Sequence, residues 1–171
     1  MTPGVPADAD STALRYLAAV HAEDWRTACN LSSAARAADC RIWHLTPTPT
    51  PEPAPTTASS GPPLLVYADG TTVRATPTPP RPASTERPRV GPVRVDRLAV
   101  PVHGTSRHPA GWGVLLAHTV QWPGRPARTV RTALRLVDEG GRWRVDQRAP
   151  VSDAVLAVPD PAAAALAGGP R

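Results

Sequence analysis

Apolar residues recur at helical spacing near the start of the chain and at alternating spacing after residue 92, which divides the sequence into a helical part and a stranded part. Ala13, Leu14, Leu17, Val20 and His21 follow an i, i+3, i+4, i+7 pattern, one face of a helix that Asp10 and Ser11 are suited to start. Residues 1–10 then form a disordered lead. Asp24 is placed to cap a second short helix carrying Trp25, Ala28, Cys29 and Leu31, and Ser32 or Ser33 to start a third over 34–38.

The stranded part opens with Leu64-Leu65-Val66-Tyr67-Ala68 and Thr71-Thr72-Val73, which flank Asp69-Gly70 and predict a two-residue hairpin. Beyond Pro92 the apolar phase changes. Val93 and Val95 sit on odd positions, whereas Leu98, Val100 and Val102 sit on even ones. One extra residue swaps the faces, so a β-bulge is expected near Asp96-Arg97. Three further strands follow: Trp112 to Trp122, Arg128 to Val137, and Arg142 to Arg148. A connection over 123–127 matches Val120 with Val130, His118 with Thr132 and Leu116 with Leu134. A turn at Asp138-Glu139-Gly140-Gly141 sets Leu136 against Trp143 and Leu134 against Val145, with apolar faces in agreement.

Composition limits how much of this folds together. Of 171 residues 23 are Pro, and most fall in Thr/Pro-rich tracts that cannot supply ladder N–H groups. The expected organisation is one α+β domain over 11–150, interrupted by flexible segments at 46–63 and 76–91, with an Ala/Pro-rich tail over 151–171 to which no element is assigned. The net charge is +5, and every basic residue is Arg. An all-Arg, Ala/Pro/Val-rich chain reads as coding bias of a GC-rich bacterial genome. The charge is spread without a basic cluster, so there is no specific nucleic-acid signal. No apolar run approaches the roughly 18 residues of a membrane span. Met1 to Asp10 lacks the basic and apolar regions of a signal peptide. Taken literally the chain is cytoplasmic; an anchor or signal preceding it would make it extracytoplasmic.

Tyr16-Leu17-Ala18-Ala19-Val20, Asp24-Trp25, Ala28-Cys29-Asn30-Leu31-Ser32 and the closing Gly141-Arg142-Trp143-Arg144-Val145 stand in the order of short helices, hairpin and long meander. In this the chain resembles the nuclear transport factor 2-like (cystatin-like) superfamily, of the kind found in secreted or membrane-anchored bacterial proteins. The resemblance implies an α+β fold with two or three N-terminal helices packed on a curved antiparallel sheet, a cone or roll. It also implies a pocket, where one exists, on the cone's inner face, and dimerisation through the sheet as a family habit.

Chemistry is sparse. Cys29 and Cys40, eleven positions apart, would lie about 16 Å apart in one straight helix, but a turn at Ser32-Ser33 allows a disulfide, which would imply an oxidising compartment. Otherwise they are two buried thiols. Their spacing and the scattered histidines match no zinc site, and no cofactor is expected. His118 falls on the inward face; with Thr132 and Tyr16 it is the candidate catalytic group. The ketosteroid isomerase-like and polyketide cyclase-like relatives implied by the resemblance add an acid there, and no Asp or Glu falls inward on the last three strands. Arg131, Arg135, Arg142, Arg144 and Arg148 are expected on the opposite face as a stripe able to meet an acidic partner, or as a solvated surface. Nothing in the sequence identifies an enzyme. The first expectation is a non-catalytic extracytoplasmic binding or assembly domain whose partner is a protein, a second copy of itself included. The alternatives are an isomerase- or cyclase-like enzyme using the cone, and a cytoplasmic accessory domain binding an acidic partner.

Overall fold

A computed structural model of the chain describes residues 7–47, 64–66, 72–74 and 87–168. The chain falls into two compact units, Met1–Thr46 with Pro88–Arg171, and Pro47–Arg87. The smaller unit holds an antiparallel pair, β1 (Leu64–Val66) and β2 (Thr72–Arg74), in which Leu65 faces Val73. The pairing is that of the expected hairpin; its Asp69-Gly70 turn lies outside the described residues, as do most of the segments 46–63 and 76–91 and most of the lead 1–10.

In the larger unit α1 (Ala7–His21), α2 (Trp25–Leu31) and α3 (Ala34–Leu45) precede β3 (Arg89–Val90), β4 (Arg94–Val102), β5 (Gly111–Gln121), β6 (Arg128–Asp138) and β7 (Trp143–Val151). All five strands form one antiparallel sheet in the order β3-β5-β6-β7, with β4 also paired to β5. The sheet curls into a half-barrel, so the fold is the expected α+β roll. Three boundaries differ from the sequence reading. Helix α1 begins before Asp10 and Ser11, which therefore lie inside it, and α3 runs seven residues past Ala38, to Leu45. Arg89–Val90, expected within a flexible segment, pair with Gln121 and Val120.

The sheet is buried on both faces. On the inner face Ala9, Ala13 and Leu17 of α1 pack against Ala99, Val114, Leu116, Leu134, Leu136 and Val145, with Trp112, Trp143, Val93 and Val95 at the margin. On the outer face Val102, Leu115, Ala133 and Ala149 pack against Val155, Ala162, Ala165 and Leu166. These last come from α4 (Asp153–Leu156) and α5 (Pro161–Leu166), helices built from the tail. Ser152 caps α4 through its side chain, which accepts from Val155 N, and Pro161 opens α5 with the φ a first helical residue needs. Gly113 lets α5 approach β5: a Cβ there would stand 2.8 Å from Val102 Cγ1 and 3.2 Å from Leu166 Cδ1.

Two bulges set which residues meet which core. The first lies where the phase change places it, with register shifts between Val95 and Arg97 and again before Val100. The two shifts cancel in parity, so Val93 and Val95 reach the inner core and Val100 and Val102 the opposite, outer one, while Leu98 is 78% exposed. One extra residue would instead have given these valines a shared face. The second bulge was not expected. Leu136 pairs with Val145 but Arg135 pairs with Gln147, leaving Asp146 as the extra residue of β7. The expected β5–β6 register is corrected by two positions, so that His118 faces Val130 and Val114 faces Leu134. The β6–β7 register is corrected by two up to Val145, where Asp138 faces Trp143, and by three beyond the bulge, where Leu134 faces Arg148. An even offset keeps side chains on their own face, so the apolar match holds along β5, β6 and β7 as far as Val145, whereas beyond Asp146 the odd offset reverses the faces of β7. The wider β5–β6 connection turns at 122–125, where Arg125 N bonds Trp122 O.

Arg135, 1% exposed, is the largest fully buried side chain among the described residues. Its guanidinium donates to Gln147 Oε1 (3.0 Å) and to the carbonyls of His103 (2.7 Å), Pro109 (2.8 Å) and Leu166 (3.3 Å). It thus joins β6, β7, the β4–β5 loop and the end of α5. Burial pushes its pKa down and nearby Asp146 pushes back. Arg135→Gln leaves buried carbonyls unpaired and should cost about 3–5 kcal/mol, roughly 10 °C in thermal midpoint; calorimetry checks this.

Cys29 and Cys40 form a disulfide with Cα atoms 5.5 Å apart, brought together by the turn at Ser32-Ser33 between α2 and α3. The non-reduced protein should titrate no free thiol. Cys29→Ser with Cys40→Ser should cost about 2–3 kcal/mol, because the loop closed is short; urea unfolding with and without reductant measures it.

Candidate functional site

The inner face is apolar along most of its length and turns polar at one end. On β5 the residues Val114, Leu116 and His118 share that face, and on α1 the stripe of Ala13 and Leu17 continues one turn later to His21. The two imidazoles meet with ring centroids 4.2 Å apart and planes tilted by 59°. His118 is 6% exposed, and its Nδ1 is buried without a hydrogen-bond partner. The bulge at Asp146 rotates Arg148 onto this face, opposite Leu134. Tyr16 of α1 packs at the margin of the same core.

Electrostatics bind these groups into one cluster. Burial holds the His118 pKa below the ordinary histidine value, and the Arg148 charge lowers it further. His21 is likewise lowered by burial, then by His118 and Arg148. Tyr16 is raised by burial, with Arg148 opposing. No carboxylate contributes to any of the three among the described residues. Thr132, the expected neighbour of His118, instead faces Leu116 on one side and Pro150 on the other, and is buried. Tyr16, His21, His118 and Arg148 therefore assemble, whereas Thr132 lies one pair further along. Trp112 and Trp143 pack against the inner cluster, while Trp122 is 49% exposed beyond the end of β5.

The arginines do not form a stripe. A register with Leu136 against Trp143 would also set Arg135 against Arg144 and Arg131 against Arg148; instead Arg135 pairs with Gln147, Arg144 with Val137, Arg131 with Val151 and Arg148 with Leu134. Arg135 is buried, Arg131 pairs with Asp96 (2.9 Å), and Arg144 donates to Asn30 O of α2. Arg142 lies exposed in the β6–β7 turn. The cause is the second bulge, which inverts the alternation midway along β7.

Ser33, Asp146 and His108 also come together, which their separation in sequence conceals. Ser33 Oγ donates to Asp146 Oδ1 (2.8 Å), and His108 Nδ1 lies 2.7 Å from Asp146 Oδ2. That short contact to a carboxylate makes Nδ1 the donor, so Arg36, 3.2 Å away, finds its acceptor in Arg107 O instead. The order is wrong for nucleophilic catalysis, where the base must touch the hydroxyl and the acid must orient the base. Here the acid holds both, and Ser33 is 1% exposed. The trio fastens α3 and the β4–β5 loop to β7.

Among the described residues no helix is long and apolar enough to cross a membrane, and no three His, Cys, Asp or Glu side chains are placed to hold a metal. No protein-family model, curated protein or solved structure matches the chain.

The histidine shifts set a pH dependence. The unfolded chain protonates both rings near the ordinary value of 6.5, the folded chain only at lower pH. Between these values the unfolded state holds more protons, so stability rises with pH there and is lost on acidification. Urea midpoints should fall as the pH drops from about 7 to about 5.5, and His118→Asn should flatten the slope.

Proposed function

We propose that this chain is a non-catalytic binding or assembly domain that works outside the cytoplasm through protein contacts, on a scaffold of the nuclear transport factor 2-like kind. The observation that carries the reading is the C-terminal half of α3, where Ile42, Trp43 and Leu45 are 62%, 81% and 43% exposed. Solitary exposed apolar residues are ordinary, but a Trp beside two aliphatic residues is the composition of an interface centre. Its presentation is rigid. The disulfide ties α3 to α2, Trp25 stacks on His44 with ring centroids 3.8 Å apart, and Ser33 anchors the start of the helix to Asp146. A rigid patch loses little freedom on binding.

A second copy of the chain is the partner of first choice. Asp39 and Arg41, both exposed, stand beside the patch with opposite charges that a two-fold contact can set against each other. The outer sheet face, through which the resemblance suggests dimerisation, is occupied by α4 and α5. The disulfide supports an oxidising setting.

A second reading, an isomerase- or cyclase-like enzyme, draws on the unpartnered Nδ1 of His118, which as a neutral imidazole is equipped to accept a proton. It lacks the acid its relatives use, and the described inner face supplies none. An accessory role through an Arg-rich face draws no support from the scattered placement of those arginines.

Sedimentation across a wide concentration range should show a monomer–dimer equilibrium, weakened about 30-fold or more by Trp43→Asp. A wild-type monomer at every concentration, indistinguishable from the variant, would reject self-association through α3.

A further inference from the structure

The β5–β6 loop borders an open cleft of about 200 Å³ lined by Val120, Trp122, Arg125, Pro126, Arg128 and Val130. Four of these present apolar surface and two present guanidinium groups. Val130 and Trp122 are 39% and 49% exposed, so the apolar lining is partly uncovered. Neither Arg125 nor Arg128 forms an ion pair with a carboxylate among the described residues.

The register extends this character along the sheet. Val120 faces Arg128 and His118 faces Val130, so all four side chains share the inner face. The next pairs bring Pro150 opposite Thr132 and Arg148 opposite Leu134 onto it. From the loop inward, that end of the face carries Arg128, His118 with its unpartnered Nδ1, His21 from α1 and Arg148. Tyr16 of α1 also titrates near them, and β6 contributes only Val130 and Thr132 beside the histidine. Donors and positive charge accumulate with no described acid to neutralise them.

We infer that this cleft binds a small amphipathic carboxylate, its apolar body against Val120, Trp122 and Val130 and its carboxylate on the guanidinium groups of Arg125 and Arg128. Planar guanidinium suits a carboxylate through paired N–H donors, and an aromatic or branched aliphatic body suits the valine and indole surface. Size restricts the occupant further. The cleft lies below the roughly 300–1,000 Å³ typical of drug-sized ligands, which favours a small occupant. The inference is independent of the α3 contact, which lies on other elements.

The test titrates the full chain with benzoate, benzyl alcohol and inorganic phosphate, following the Trp122 indole N–H and the His118 ring signals by NMR. Benzoate should give saturable shifts of Trp122 that the other two probes do not reproduce. Arg128→Gln, at an exposed strand end, should weaken benzoate by about tenfold while leaving the spectrum of the fold intact. Arg125→Gln provides a second variant at a loop position. An equal response to benzyl alcohol would reduce the cleft to an apolar surface, and an equal response to phosphate would reduce it to a cluster of cations. Either result, or undiminished benzoate binding in both variants, overturns the proposal.

Discussion

One inserted residue in β7 governs most of what surrounds it. Up to Val145 the strand alternates in step with β6, and beyond Asp146 it alternates in the opposite sense. That single reversal does four things at once. It buries a carboxylate at the sheet margin, where Ser33 and His108 bond to it. It aims Gln147 at Arg135, sends Ala149 into the outer core, and delivers Arg148 to the histidine pair. A strand without the bulge would place Arg148 in the outer layer and Gln147 against α1, so neither the Arg135 hub nor the polar end of the roll would form.

Arg135 shows how the two layers depend on each other. A buried guanidinium is tolerated only when its N–H groups are satisfied. Three of its acceptors are backbone carbonyls from the β4–β5 loop and the last turn of α5. Leu166 O also accepts from Gln147 Nε2, so the end of α5 is held by two side chains of adjacent strands. The helices of the tail are thereby fixed to the sheet by polar bonds as well as by Ala162, Ala165 and Leu166.

How much of this the sequence discloses follows from where the information lies. The irregularity near Asp96 was placed correctly, but the phase change of the valines that pointed to it reflects two cores, with Val93 and Val95 in the inner one and Val100 and Val102 in the outer. The bulge at Asp146 was not legible, because Arg144, Asp146, Gln147, Arg148 and Pro150 carry no apolar phase to read. Strand faces were legible and strand partners were not, since a period of two cannot distinguish registers that differ by two. Arg135 looked like a surface residue because three of its four acceptors are backbone groups 26 to 32 positions away, invisible in any side-chain pattern. The disulfide was accessible from two cysteines and one turn. His118 was singled out by its apolar neighbours, whereas His21 was read only as part of the apolar face of α1 and Arg148, beyond the unseen bulge, as part of the opposite face. The unbroken burial of β5 from Gly113 to His118 was the available sign of a second layer, and Asp160-Pro161 before an alanine run the sign of its helix.

β7 is also the last strand of the sheet, and an open strand edge is a template for another chain. Here the edge is guarded. Ser33 N bonds Val145 O, Ser32 bridges to the same residue, Asp146 interrupts the ladder, and Pro150 offers no N–H. The guard at Val145 belongs to the α2–α3 hairpin, which the cysteine bridge holds closed. The covalent link therefore does more than stabilise two short helices. It also holds closed the hairpin that covers the β-edge at Val145, where an uncovered strand is a place for another chain to pair.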